Sequence, residues 1–123
     1  MAVYIPDRND IVWLDFEPTK GKEIGKYRPV LVLSGKAYNK ATGLLICCPI
    51  STSIRHAPTE VAVGNMDKPS VVVSNVITTL DWRIRKVKKV AIAEPGVFDN
   101  VLLRVIPLIG ANQIIKKLAD SVS

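Results

Sequence analysis

Residue types that build metal centres and disulfide frameworks are scarce in this sequence. Its 123 residues include two cysteines, Cys47 and Cys48, and one histidine, His56. The cysteines are neighbours in an apolar run, where consecutive strand side chains point to opposite faces, so they indicate no disulfide framework. A structural zinc site needs four such ligands, and no phosphate-cradling glycine loop is present. We therefore expect neither a metal nor a cofactor.

Long apolar runs and a hydrolase motif are absent as well. Leu44 to Ile50 is one of the longest apolar stretches, whereas a membrane helix needs about 20 residues. The N-terminus has no basic patch followed by an apolar run, so no signal peptide is indicated. No Gly-x-Ser-x-Gly segment occurs and the single histidine has no recognisable partner, which argues against a serine hydrolase. These absences predict a cytoplasmic protein that does not associate with membranes.

The composition is that of one globular domain with a basic surface. Apolar residues make up 48% of the chain and charged residues 23%, and this length is enough for one core but not for two. Lysine and arginine number 17 against 11 acidic residues, a net charge of +6. That balance favours a polyanionic partner. Solvated lysines that bind nothing are the alternative.

Short apolar runs of strand length fill most of the chain. They are rich in β-branched and aromatic residues and are separated by glycine, proline and polar residues. Many short strands at close spacing predict a β-barrel or β-sandwich. The predicted strands are Asp10 to Phe16, Pro29 to Ser34, Leu44 to Ile50, Glu60 to Val63, Val71 to Val73, Val76 to Leu80 and Val87 to Ala93, with one helical turn at Lys36 to Lys40.

The pattern becomes helical after Glu94. Apolar residues recur at spacings of three and four from Val97 to Val105, which predicts one apolar helical face. Pro107 should end or kink that helix. A short amphipathic helix is predicted from Asn112 to Ala119. The chain is therefore expected to be β-rich first and helical at its end.

A basic segment from Thr19 to Arg28 lies directly before the second predicted strand. Arginine and lysine neutralise phosphates, and a tyrosine ring stacks on an unpaired base. Glycines and the absence of a helical period predict a mobile loop over Glu17 to Tyr27. The alternative to nucleotide binding is an ordinary solvated loop without a ligand. The segment carries Lys20, Lys22, Glu23, Lys26, Tyr27 and Arg28.

Two further segments have side chains that suit a phosphate. Arg83, Arg85 and Lys86 follow a tryptophan, and in a strand the two arginines would share one face. A charged edge strand that blocks aggregation is the alternative. Ser51 and Thr52 come directly after the third predicted strand, where a rigid scaffold can present hydroxyls to a ligand. Turn formation is the commoner use of such hydroxyls.

Several segments, in this order, resemble the MazF/PemK toxin family. The opening Asp10-Ile-Val-Trp-Leu-Asp-Phe-Glu-Pro18, followed by Lys20-Gly-Lys-Glu-Ile-Gly-Lys-Tyr-Arg-Pro29, resembles the start of the family's sequences. Pro49-Ile-Ser-Thr52 is similar to its proline-x-threonine or serine segment, and Leu80-Asp-Trp-Arg-Ile-Arg85 to its signature before the last strands. The similarity runs from Asp7 to Gly110, which predicts one domain over residues 1–110 and a helical extension over 111–123.

The resemblance implies a mainly β fold, a small twisted SH3-like barrel with a C-terminal helix, that works as a homodimer. It implies a toxin that cuts single-stranded RNA, chiefly messenger RNA, without a metal, through attack of the 2′-hydroxyl, and that binds a MazE-like antitoxin. By position, the family's essential arginine is Arg28, its loop glutamate is Glu23, and its hydroxyl is Ser51 with Thr52 adjacent. The expected RNA-binding residues are Lys20, Lys22, Lys26, Tyr27, Asn75, Arg83, Arg85 and Lys86.

Two positions depart from the family pattern. Asn75 stands where several relatives carry aspartate, and an amide cannot exchange a proton at neutral pH. Tyr27 stands where some relatives have histidine. The general base is therefore open: Glu23 is our candidate, and an RNA-binding barrel that does not cleave is an alternative. A gyrase-poisoning toxin of the CcdB kind is another, but the C-terminal segment Ala119-Asp-Ser-Val-Ser123 lacks that family's tryptophan-glycine-isoleucine ending. The cleavage hypothesis requires Arg28 and Ser51 to share one cleft.

Overall fold

The computed structural model describes residues 3–16 and 27–122. Seven strands and three helices occur in this part of the chain. They are β1 (Asp10–Asp15), β2 (Tyr27–Val32), α1 (Lys36–Thr42), β3 (Leu44–Ser51), β4 (Glu60–Val63), β5 (Ser70–Val73), β6 (Thr78–Asp81), β7 (Lys88–Ile92), α2 (Val97–Leu108) and α3 (Ala111–Val122). No helix of the described residues is both long and apolar enough to span a bilayer.

The strands form one curled antiparallel sheet in the order β4-β5-β3-β2-β1-β7, with β6 paired to β3. The long strand β3 explains the curl, because it changes partners along its length. Its first half pairs with β6, whereas Ile50 and Ser51 at its end pair with β5. On its other edge it pairs with β2. The sheet is therefore a half-barrel, and the predicted small twisted barrel with a C-terminal helix is confirmed.

Both faces of the central strands β1, β2 and β3 are buried, which explains why these strands contain continuous apolar runs. Ile11, Leu31 and Cys48 belong to the core cluster that also contains the inner face of α2. Their chain neighbours Val12 and Cys47 belong to a second cluster on the other side of the sheet. The predicted opposite orientation of the two cysteines is therefore confirmed.

The element boundaries differ from the sequence prediction at a few places. The predicted turn at Lys36 is the start of a seven-residue helix, which a left-handed Gly43 terminates. β6 begins at Thr78 and not at Val76, because the Val76 N–H donates to the Val73 carbonyl (3.2 Å) in a turn. Pro107 lies one residue before the end of α2, as its missing N–H predicts. α3 extends further than predicted in both directions and has no buried residue.

The two thiols provide a test of this core. Burial raises the pKa of Cys47 to about 12 and that of Cys48 to about 11. The raised pKa means that the folded protein favours the protonated thiols. Their contribution to the stability of the fold is therefore fully present below the ordinary thiol pKa of about 8.5. It is lost as the pH rises through the folded value. At pH 8 a disulfide reagent is expected to label neither thiol until urea unfolds the protein; rapid labelling of the native protein would contradict the packing.

Candidate functional site

A cleft of about 660 Å³ opens beside the ends of β2 and β3 and the loop over residues 64–69. Arg28, Ser51 and Thr52 all line it. Arg28 lies on β2, whereas Ser51 and Thr52 lie at the end of β3, and helix α1 separates these strands in the sequence. The sheet brings the three residues together. Three of the four residues assigned by resemblance to catalysis therefore lie in one cleft.

The pairing of β2 with β3 explains why Arg28 and Ser51 lie at one end of the sheet. Val30 lies opposite Pro49, and Leu31 lies opposite Cys48. Arg28 and Ser51 lie two residues beyond the pair formed by Val30 and Pro49, so both are at the same end of these strands. The requirement that these two residues share one cleft is met.

The hydroxyl of Ser51 is oriented by its own turn. Its Oγ accepts a hydrogen bond from the Ser53 N–H (3.0 Å), a common local use of serine after a strand. A hydroxyl keeps one O–H donor while it accepts, so Ser51 can still donate to a phosphate oxygen. Thr52 is exposed beside it. The serine therefore serves both the turn and the cleft.

An aromatic pair lines the same cleft. Trp13 on β1 and Tyr27 on β2 stack with ring centroids 5.7 Å apart and planes inclined by 21°. The Tyr27 hydroxyl donates to the Lys86 carbonyl (3.0 Å), which ties the ring to the turn before β7. Tyr27 is one of the binding residues predicted from the sequence, whereas Trp13 is not. The sequence shows Trp13 in the first predicted strand, but no pattern in it specifies which residues of the second strand lie opposite Trp13.

The loop between β4 and β5 also lines the cleft, although no sequence pattern indicated this. Asp67 is the single carboxylate among the described lining residues, and Lys68 is the only cation there besides Arg28. Neither histidine nor cysteine is among them. Residues 3–16 and 27–122 contain no group of three or more potential metal-ligating His, Cys, Asp or Glu side chains. The described cleft thus offers charge, hydroxyls and aromatic surface.

Five predicted site residues before β6 are not among the described residues that line the cleft. Residues 17–26, which make up most of the expected mobile loop, lie outside the described residues. Lys20, Lys22, Glu23 and Lys26 belong to this segment. Asn75 is exposed in a turn, and its neighbour Val76 lines the cleft. The assignments of these side chains to catalysis or RNA binding stay predictions.

Arg83, Arg85 and Lys86 lie in a turn between β6 and β7, so the strand alternation considered for the two arginines is wrong. Arg83 donates to the Lys40 carbonyl (2.8 Å) at the end of α1. Arg85 donates to the carbonyls of Asp15 (2.9 Å) and Phe16 (2.6 Å) at the end of β1. Both guanidinium groups hold the chain's own backbone, and the described cleft lining includes neither. Their contact with RNA stays a prediction.

Known proteins resemble this chain in sequence and fold over most of its length. A family model of PemK-like, MazF-like toxins of type II toxin-antitoxin systems matches residues 7–109. The endoribonuclease toxin MazF of Escherichia coli strain K12 is 34% identical over 107 residues, 87% of this chain and 96% of that protein. A MazE-MazF crystal structure from Deinococcus radiodurans superposes with a TM-score of 0.80 at 38% identity, covering 88% of this chain and 98% of that one. A mycobacterial endoribonuclease solved with its cognate antitoxin shares the fold, with a TM-score of 0.68 at 21% identity.

Proposed function

This chain belongs to the family of PemK-like and MazF-like toxins of type II toxin-antitoxin systems, and we propose that it cleaves single-stranded RNA, chiefly messenger RNA, without a metal. The observation that carries the proposal is that Arg28, Ser51 and Thr52 line one cleft. A guanidinium and hydroxyls in one cleft suit a phosphodiester group. Family membership supports the general activity, RNA cleavage by an endoribonuclease toxin.

The proposed reaction uses the RNA's own 2′-hydroxyl as the nucleophile. The 2′-oxygen bonds to the adjacent phosphorus while the bond from phosphorus to the 5′-oxygen breaks, which yields a cyclic phosphate and a 5′-hydroxyl end. The enzyme has to accept the 2′ proton, stabilise charge on the phosphorane oxygens and protonate the leaving oxygen. None of these three tasks requires a metal, and the described cleft supplies a single carboxylate as a hard ligand.

Arg28 is assigned the electrostatic task. Its planar fork fits two phosphate oxygens, and the pKa of arginine above about 12 makes it a charge stabiliser rather than a proton acceptor. Ser51 and Thr52 are assigned hydrogen bonds to the scissile phosphate. Glu23 is assigned the role of the general base, because Asn75 cannot take it.

A glutamine at position 23 tests the base. The Glu23→Gln variant is expected to lose cleavage by about 100- to 10,000-fold and to lose the acidic limb of its pH-rate profile, since an amide does not titrate. The measurement is single-turnover cleavage from pH 4 to 9. A variant whose rates and profile match those of the parent would remove Glu23 from the mechanism.

The proposed partners are a second copy of the chain and an antitoxin. A free ribonuclease in the cytoplasm, the proposed compartment, would harm its host. The relatives from Deinococcus and mycobacteria were solved with an antitoxin. An acidic antitoxin segment complements a chain of net charge +6 and would cover a basic cleft. Copurification of this chain with the product of an adjacent small gene tests the second partner.

Residues 1–110 are proposed as the catalytic domain and 111–123 as an extension. The family model ends at residue 109, and α3 buries none of its residues. A chain that stops after Gly110 is therefore expected to cleave RNA at a rate within about threefold of the full chain, because no core contact is removed. Steady-state cleavage of one RNA by both proteins checks this, and a large loss of rate would make α3 part of the catalytic domain.

Mapping the ends of fragments from a long RNA digested in the presence of a chelator tests the function directly. The expected products carry a cyclic phosphate and a 5′-hydroxyl. Ends with a 5′-phosphate would contradict the mechanism, and binding without cleavage would favour the non-catalytic alternative. A supercoiling assay in parallel tests the gyrase-poisoning alternative, for which we expect no inhibition.

A further inference from the structure

The cleft changes in chemistry from one side to the other. The sheet order runs β3, β2, β1, β7, so the lining passes from Ser51 through Arg28 to Trp13 and then Val90. The β3 side carries hydroxyls and a guanidinium. The β1 and β7 side carries aromatic and aliphatic surface. A nucleotide has the same two-part chemistry, with an anionic phosphate joined to a flat apolar base.

The aromatic side is built before any ligand arrives. Trp13 lies opposite Pro29 and Asp15 lies opposite Tyr27, so Trp13 and Tyr27 are diagonal neighbours on one face of adjacent strands. Their stacking and the hydrogen bond from the Tyr27 hydroxyl to the Lys86 carbonyl fix the orientation of the tyrosine ring. A ring that is already ordered loses little conformational entropy when a ligand stacks on it.

We propose that the Trp13–Tyr27 pair is a stacking platform for one unpaired base of the RNA whose scissile phosphate lies at Arg28 and Ser51. The proposal rests on the proposed function and adds Trp13 as a positioning residue that supports the Tyr27 ring from behind. Tyr27 is 40% exposed, so part of the ring is available to a base. Both neighbours of a base inside a duplex already cover its faces, which makes the platform selective for single strands.

A cross-strand aromatic pair can also serve the sheet alone, because such pairs stabilise antiparallel strands. Two observations favour a ligand. The same cleft is lined by the aromatic pair and by Arg28 and Ser51, so base and phosphate contacts are available in one place. The other tryptophan, Trp82, shows what a structural aromatic looks like in this fold: it is 6% exposed, and its indole N–H donates to the Asn39 carbonyl (3.0 Å).

Binding of a mixed-sequence 2′-fluoro oligonucleotide, which has no 2′-hydroxyl to attack, tests the platform apart from cleavage. Tyr27→Leu is expected to weaken binding by roughly 10- to 100-fold, the usual effect of losing one base-stacking ring. Tyr27→Phe keeps the ring and should stay within about threefold of the parent. Tyr38→Leu is the matched control, because Tyr38 is 41% exposed on α1 and is absent from the cleft lining.

Tryptophan fluorescence reports binding next to Trp13 in the unaltered chain. Trp13 and Trp82 are the only tryptophans, so the oligonucleotide is expected to quench part of the emission of the parent and none of that of Trp13→Phe. Quenching that persists in Trp13→Phe, or equal affinity of Tyr27→Leu and the parent, would overturn the platform while leaving the cleavage function standing. A parent protein that binds no single-stranded oligonucleotide and cleaves no RNA would overturn both.

Discussion

Replacing Arg28 with alanine is expected to lower RNA cleavage by about 100- to 1000-fold, the usual cost of one preorganised donor to a developing oxyanion. The fold should not change, because the Arg28 side chain is exposed at the start of β2 and no core cluster includes it. Single-turnover cleavage of a defined RNA measures the loss, and a thermal melt checks the fold.

Two variants sharpen the Arg28 prediction. Arg28→Lys keeps the charge but loses the planar fork, so its rate should lie between those of the parent and the alanine variant. Arg55→Ala removes the same net charge from an exposed loop outside the described cleft lining and should cleave like the parent. Equal rates for Arg28→Ala and Arg55→Ala would refute the assigned role.

The largest expected effect on stability belongs to Asn39, a fully buried polar residue on α1. Its Nδ2 group donates to the carbonyls of Pro6 (2.7 Å) and Ser34 (3.1 Å), and its Oδ1 accepts from the Ser34 hydroxyl (2.6 Å). The hydroxyl oxygen of Ser34, Oγ, in turn accepts a hydrogen bond from the Ile46 N–H (2.8 Å) on β3. One amide therefore connects the N-terminal segment, the end of β2 and helix α1.

Leucine at position 39 keeps the branch at Cγ and the number of side-chain heavy atoms, and it removes the three hydrogen bonds of the Asn39 side chain. Each buried partner left without a hydrogen bond costs about 1–3 kcal/mol, so Asn39→Leu is expected to lower the free energy of unfolding by about 3–5 kcal/mol. Typical domains have only about 5–15 kcal/mol in total. Urea denaturation measures the change. Asn112→Leu, at an exposed position of α3, is the control, and a loss below about 1 kcal/mol for Asn39→Leu would show that the network is dispensable.

Most strands were predictable because their signal is local. Val30 to Val32 are apolar at every position, since the two core clusters bury both faces of β2, and such a run of strand length needs no further context. The start of β6 was not predictable, because Val76 and Ile77 are as apolar as a strand. The hydrogen bond from the Val76 N–H to the Val73 carbonyl places Val76 at the end of a turn, and the strand begins only at Thr78.

The candidate site divides in the same way. Its residue types and their order, above all Arg28 before a strand and Ser51 after another, were visible in the chain and carried the resemblance to a family. Trp13 and the loop around Asp67 were not, because a pattern along one strand does not reveal which residues of another element face it. Their place in the cleft depends on the pairing of β1 with β2 and on the connection between β4 and β5.

By itself, the sequence determined the number and kind of most elements, the apolar core, the basic charge and the family. The tertiary structure alone decided what each cation does. Arg28, Arg83 and Arg85 carry the same guanidinium, yet Arg28 lines a cleft while the other two bind backbone carbonyls. The physical reason is that a hydrogen-bond donor takes the acceptor nearest to it, and the folded chain determines which acceptor that is.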